Sequence, residues 1–191
     1  MHVNEENFET DAYFVEHILD VPDYKKLISN FKAGNDATGL EIYLKYAAVG
    51  DENVNLARTY LVIDKSTKEL ACYFSLRTGL ITVQVSGNEF DSLPAIELSN
   101  FATNDTYRKN HKELKKFGVH IFEVFILPIT RCMAKYIGAN SLYIYALPND
   151  KLIKHYKTMG FSLLPADQEK FVQSHVKPKY DAGCRFMYQI L

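Results

Sequence analysis

Tryptophan is absent from this chain, and cysteine is scarce: Cys72, Cys132 and Cys184 stand far apart in the sequence. Their odd number, with no CxxC or Cys/His spacing, excludes a disulfide framework and a zinc site. The thiols are expected to be free and buried, with no metal bound. An excess of one charge is missing as well. A formal net charge of −1 gives no global pull toward nucleic acid or an anionic membrane, so any anion site must be local. No run approaches the roughly 20 apolar residues of a bilayer-crossing helix, and the acidic, polar start MHVNEENFETD does not read as a secretory signal. These absences give the expectation of a cytoplasmic protein. Repeats, low-complexity tracts and linkers are lacking too, and 191 residues suit one domain spanning 1–191.

What is present is ordinary globular material, 47% apolar and 24% charged. The spacing predicts a helix over Asp23 to Ala33, with Gly34 as a stop, and a second over Leu40 to Ala48. The runs RTYLVI (Arg58 to Ile63), ELACYFSLR (Glu69 to Arg77) and LITVQV (Leu80 to Val85) then read as successive antiparallel strands. Ala95 to Thr103, launched by Pro94, reads as a fourth strand. From Val119 to Ile137 the apolar residues recur at helical period, with Pro128 expected to kink the helix and Gly138 to close it. Leu142 to Leu147 reads as a buried strand, Lys151 to Met159 as a helix ended by Gly160, and Phe161 to Leu164 and Cys184 to Leu191 as further strands. The predicted class is α+β: one mixed sheet flanked by helices, with an antiparallel meander first and a strand-helix-strand crossover in the second half.

Two stretches suggest chemistry. Between the fourth strand and the long helix, five Lys/Arg fall within the nine residues Arg108 to Lys116, just ahead of Gly118. A helix start offers unpaired N–H groups and partial positive charge, so a glycine and lysines beside it suit a phosphate or pyrophosphate. A solvated basic loop is the plain alternative. The second stretch is KLIKHYKTMGF, in which Tyr156 precedes Gly160-Phe161 by four residues. A phenol with a pKa near 10 is a ready proton donor at neutral pH and a poor base. It could protonate a departing thiolate or simply fill the apolar face of its helix.

Taken together these features resemble the GNAT acetyltransferase superfamily, whose signature xYxxxGF is close to His155-Tyr156-Lys157-Thr158-Met159-Gly160-Phe161. Upstream, Leu40-Glu41-Ile42-Tyr43-Leu44, Leu56-Ala57-Arg58-Thr59-Tyr60-Leu61-Val62 and Ala71-Cys72-Tyr73-Phe74-Ser75-Leu76 resemble segments of a bacterial GNAT subgroup. That subgroup includes toxins of toxin–antitoxin pairs. The pyrophosphate loop departs from the family's Gln/Arg-x-x-Gly-x-Gly/Ala. Either Lys115-Lys116-Phe117-Gly118-Val119-His120 fills it, or Tyr107-Arg108 does with an insertion before Gly118.

The resemblance implies direct acetyl transfer from acetyl-CoA to a primary amine in a ternary complex. Asn100, Phe101, Ala102 and Thr103 would offer backbone hydrogen bonds to the pantetheine arm. Arg108 and Lys115 to His120 (Lys115, Lys116, Phe117, Gly118, Val119, His120) would hold the pyrophosphate. Tyr156 would be the general acid, and Glu97 the candidate base, acting through water. Asn149 would lie near the cofactor or cap its helix. Three functional readings follow: a small-molecule or protein N-acetyltransferase, a toxin-like enzyme acting on aminoacyl-tRNA, and a catalytically degenerate domain that binds CoA or a partner. The partners this leaves open are the amine acceptor, a tRNA, an antitoxin protein and a second copy of the chain.

Overall fold

Runs rich in β-branched and aromatic residues become strands here, and runs of helical period become helices. The computed structural model describes residues 8–34, 37–87, 89–175 and 183–191. Among them the strands are β1 (Tyr13–His17), β2 (Arg58–Asp64), β3 (Leu70–Ser86), β4 (Glu89–Thr103), β5 (Ser141–Ala146), β6 (Ser162–Leu163) and β7 (Arg185–Ile190). The helices are α1 (Tyr24–Ser29), α2 (Thr38–Ile42), α3 (Ala48–Asn53), α4 (Asp105–Asn110), α5 (Phe117–Ile121), α6 (Leu127–Ile137), α7 (Asp150–Thr158) and α8 (Ala166–His175). Wider π-type turns at Tyr43–Ala47 and Phe122–Ile126 join α2 to α3 and α5 to α6. The strands hydrogen-bond in the order β1-β2-β3-β4-β5-β7-β6. β4 and β5 run parallel, whereas β1/β2, β2/β3, β5/β7 and β6/β7 are antiparallel. The α+β class and the crossover are as expected.

Several boundaries differ. The two strands read at Glu69 to Arg77 and Leu80 to Val85 are one 17-residue strand, because Gly79 continues in it instead of turning the chain. β4 starts at Glu89, ahead of Pro94, and the turn before it uses Gly87 at φ +52°. β1, α4 and α8 have no counterpart in the sequence reading. Pro128 lies within the first turn of α6, directly after the π-type turn. A proline withholds an N–H and crowds the carbonyl four residues back, and a widened turn accommodates both. The resulting helix, Phe117–Ile137, is long and apolar enough by length and composition to cross a membrane, contrary to expectation. Its Ile121, Phe122, Phe125, Ile126 and Ile129 are nevertheless almost wholly excluded from solvent, as in a core helix. Cys72 and Cys184 are buried free thiols, and Cys132 is half-buried.

The chain packs as two compact units, the first up to Arg77 plus Asn100–Ile129, the second Thr78–Ser99 plus the chain from Thr130 onward. In the first, Ile18, Phe31, Leu44, Leu61 and Tyr73 form the apolar core. Asp64, at the end of β2, is buried there. Its Oδ1 accepts from Ser66 Oγ (2.6 Å) and from the N–H groups of Ser66 and Thr67, and its Oδ2 accepts from Tyr107 Oη (2.5 Å). Tyr13 Oη lies 3.0 Å from the Tyr107 hydroxyl. In the second unit, Ile81, Ala95, Tyr143, Val172 and Phe186 are the core. α8 is tied to β7 there by Glu169, which accepts both Nε and Nη2 of Arg185 and the Phe186 N–H at 2.9–3.1 Å.

Burial opposes ionisation of Asp64, but its hydrogen bonds from Ser66, Tyr107 and Thr67 outweigh that and hold its carboxyl well below the usual carboxylate range. A depressed folded pKa adds stability above the unfolded value of ~4 and loses it as pH falls through the folded value. Asp64→Asn should therefore cost about 1–3 kcal/mol at pH 7. The difference in Tm from the native chain should shrink progressively below about pH 4. Thermal melts of both proteins between pH 7 and pH 2 check this, and a pH-independent gap would refute it.

Candidate functional site

The basic stretch is partly helical. Asn104 caps α4 by accepting the Thr106 N–H at 3.1 Å, and its Nδ2 donates to the Leu70 carbonyl at 2.7 Å. Tyr107 is buried with its hydroxyl on Asp64, so it anchors the segment. His111 stacks on the Tyr107 ring at 4.1 Å. Arg108 stays on the surface, 3.9 Å from Asp105. The chain then turns, with Leu114 N–H donating to His111 O and Lys115 N–H to Glu113 O. Lys116 takes the left-handed conformation (φ 53°), and Phe117 drops against Tyr13 and Tyr107, at ring distances of 5.7 and 5.8 Å. That inward ring fixes where the long helix begins.

The helix start has no side-chain cap and no acidic residue in its first turn. Instead, exposed Lys115 and Lys116 precede it, and exposed His120 lies in it. Cations at the positive end of a helix dipole are unfavourable on their own, and an anion reverses the sign of that interaction. Gly118 and Val119 are half-buried beside them, while Phe117 serves the core. Among the strand residues expected to face a pantetheine arm, Ala102 is buried and Asn100, Phe101 and Thr103 are half-buried.

In the second unit, the Tyr156 helix shows why its signature has that spacing. The Tyr156 carbonyl accepts from the Met159 N–H (3.0 Å) and the Phe161 N–H (3.2 Å), folding the chain back at the helix end. Gly160 makes that bend at φ +92°, a left-handed value in which a Cβ is strained. Phe161 then meets the Tyr156 ring edge-on at 5.7 Å. The Tyr156 residue keeps part of its surface, but burial of the hydroxyl pushes its pKa up to about 12. Asn149 is the N-cap of this helix, accepting the N–H groups of Lys151 (3.0 Å) and Leu152 (3.2 Å).

Glu97 lies inside the protein, only 2% exposed, where the sequence alone left it free to face either way. It sits opposite Tyr143 in the parallel β4/β5 ladder, and its Oε2 accepts from the Tyr143 hydroxyl at 2.9 Å. Sequence reading gave Tyr143 no role and took Gly79 for a chain break. The usable signal was the glycine: inside a strand it marks a close approach by another group. A methyl group on Gly79 would lie 2.0 Å from the Tyr143 hydroxyl oxygen.

The upstream motifs converge structurally. Thr59 and Ser75 are register partners on β2 and β3 with hydroxyls 2.9 Å apart, both fully buried. Tyr43 donates to Asp51 at 3.2 Å. Glu41 accepts from Lys45, Lys32 and the Ala33 N–H. The Lys45 bond, with those of Lys32 and Ala33, overcomes partial desolvation to hold its carboxyl at about 2.

No family model matches this sequence. Solved structures do match. One is a Tyr-to-Phe mutant of KacT, with TM-score 0.67 and 16% identity over 94% of this chain and 95% of that one. A second is a Tyr-to-Phe mutant of the AtaT toxin bound to the C-terminus of the antitoxin AtaR and acetyl-CoA, with TM-score 0.62 and 18% identity over 82% and 88%. A third, with TM-score 0.62 and 17% identity over 82% and 91%, is AtaT complexed with acetyl-methionyl-tRNAfMet. Likeness at such identities is one of backbone architecture. The mixed sheet, the crossover and these neighbours agree: the chain has the α+β GNAT fold that the KacT and AtaT structures share.

Proposed function

We propose that this chain is an acetyl-CoA-dependent N-acetyltransferase working by direct transfer to a primary amine. The observation that carries the reading is the uncapped helix start at Phe117, preceded by Lys115 and Lys116, within a GNAT fold. Those lysines, with the N–H groups of Phe117 to Val119, would take the pyrophosphate, and the backbone of Asn100 to Thr103 would take the pantetheine arm as an added strand does. The acceptor amine gives up a proton, with Glu97 as the base, and its nitrogen bonds to the thioester carbon. The C–S bond breaks, and Tyr156 donates its proton to the sulfur. Desolvation that raises the phenol also raises the basicity of a thiolate left in the same surroundings, so the donor and its target stay matched. Positioning of the two reactants supplies the larger share, roughly 7–11 kcal/mol of barrier.

For the acceptor, aminoacyl-tRNA is the favoured class, since AtaT, of similar fold, is known in complex with acetyl-methionyl-tRNAfMet. An antitoxin would then be a natural protein partner, as AtaR is for AtaT. The cytoplasm, where both acetyl-CoA and aminoacyl-tRNA occur, is the proposed location.

Acetyl-CoA should raise Tm, with the shift growing logarithmically once its concentration exceeds the dissociation constant. Lys115→Ala with Lys116→Ala should weaken CoA by roughly 1.5–3 kcal/mol per lost phosphate contact, while leaving a pantetheine fragment unaffected. Calorimetric titration of both ligands checks this, and equal loss for the two would reduce the lysines to a solvated loop.

Tyr156→Phe should lower kcat by roughly 10²–10⁴-fold, with acetyl-CoA affinity almost unchanged because the ring still packs on Phe161. The assay is thiol release across amines, polyamines, peptides and aminoacyl-tRNAs. An unchanged kcat would remove Tyr156 from the mechanism.

A further inference from the structure

Within the second unit, the parallel ladder of β4 and β5 consists of the register pairs Ala95–Ser141, Ile96–Leu142 and Glu97–Tyr143. β5 runs on to Ala146 paired with β7. Glu97 and Tyr143 are thus the last parallel pair among the described residues, at the point where the two strands stop sharing hydrogen bonds. Register partners in a parallel ladder project to the same face, so the side chains meet. Both are nearly excluded from solvent, and the Tyr143 hydroxyl donates to Glu97 Oε2 at 2.9 Å.

Tyr143 has little freedom to leave that bond. Its ring stacks on Phe186 at 5.3 Å and 28°, and Tyr145 meets it edge-on at 6.1 Å. Its hydroxyl end reaches across β4 to β3, where it lies over Gly79, and a methyl group there would come within 2.0 Å of the oxygen and 2.9 Å of the ring. No side chain larger than hydrogen fits at residue 79 while the hydroxyl keeps its place. Three strands therefore cooperate on one carboxylate: β4 carries it, β5 holds it and β3 leaves the space.

We infer that Tyr143 is a positioning residue for acetyl transfer, fixing one oxygen of Glu97 so that the carboxylate is aimed at the acceptor amine, and that Gly79 is the gap this requires. The inference rests on the acetyltransferase reading and adds to it two residues. In the step itself, the amine proton passes to Glu97 through water as the nitrogen–carbon bond forms. Tyr143 keeps its own proton throughout.

A double-mutant cycle tests it, read as kcat, KM for acetyl-CoA and Tm. Glu97→Gln keeps an acceptor for the Tyr143 hydroxyl but cannot take a proton, and should lower kcat by about 10²-fold or more. Tyr143→Phe should lower kcat by about tenfold with KM for acetyl-CoA unchanged, and the double variant should match Glu97→Gln alone, since the hydroxyl acts only through the carboxylate. Gly79→Ala should lower kcat in the native background and much less beside Tyr143→Phe, where the crowded oxygen is gone. Losses that multiply in the Glu97/Tyr143 double variant would show a merely structural hydroxyl and overturn the proposal. Full kcat in Glu97→Gln overturns it too, yet leaves the acetyltransferase reading standing. If the native chain releases no CoA thiol with any amine or aminoacyl-tRNA offered, that reading itself falls, and the role of Tyr143 falls with it.

Discussion

A buried carboxylate without donors is among the costliest features a small protein can carry, so its partners must be placed before much else can vary. In the first unit that carboxylate is Asp64. Its donors come from the turn after β2, through Ser66 and Thr67, and from α4, through Tyr107. Tyr13 of β1 closes the group, and Phe117 packs on both tyrosine rings. One ionised group thereby sets the positions of a turn, a strand, a short helix and the start of the long helix. The basic segment rides on this anchor. Arg108, Lys115 and Lys116 are surface residues, but the backbone beneath them is tied down at Tyr107 and at Phe117, so cations are presented from a fixed frame.

The second unit repeats the logic with different parts. Glu97 is matched by Tyr143 and Glu169 by Arg185 and the Phe186 N–H, each drawing a strand and its neighbour together. The two pairs differ in what they leave behind. Glu169 is gripped by guanidinium and backbone together, a fastening suited to holding α8 on β7. Glu97 meets Tyr143 at the last rung of a ladder, where β5 goes on without β4.

Much of this was legible in the sequence where a single element dictated its own form. β2, β5, β7, α7 and the long helix followed from period and composition, and Gly160 followed from its place after Tyr156. The gaps share a cause. Gly79 reads as punctuation because a glycine in a strand has no local purpose; its purpose is Tyr143, 64 positions later in the chain. Glu97 stands out in the sequence as a candidate base, but whether it faces inward or outward is left open, because alternation along β4 is blind to what β5 supplies. β1 is short and owes its place to register with β2, from Tyr13 opposite Asp64 to His17 opposite Tyr60. α8 turns only Val172 and Glu169 fully inward, too little apolar periodicity to stand out. In each case the information sits in a partner remote in sequence.

The same distinction separates the acid from the base in the proposed chemistry. A phenol needs only to remain protonated, which its ordinary pKa near 10 ensures at neutral pH and burial reinforces; accordingly Tyr156 is set by its own helix, Gly160 and Phe161, all within the twelve residues Asp150 to Phe161. That is why a short local signature can find it. A carboxylate asked to take a proton inside a protein needs a donor to orient it and a space for that donor, and no stretch of contiguous chain provides both. Glu97 obtains them from β5 and β3. The proposed acid, held by one helix and its end, is therefore readable as a motif, whereas the proposed base, held by tertiary hydrogen bonding, becomes visible only once the strands are laid side by side.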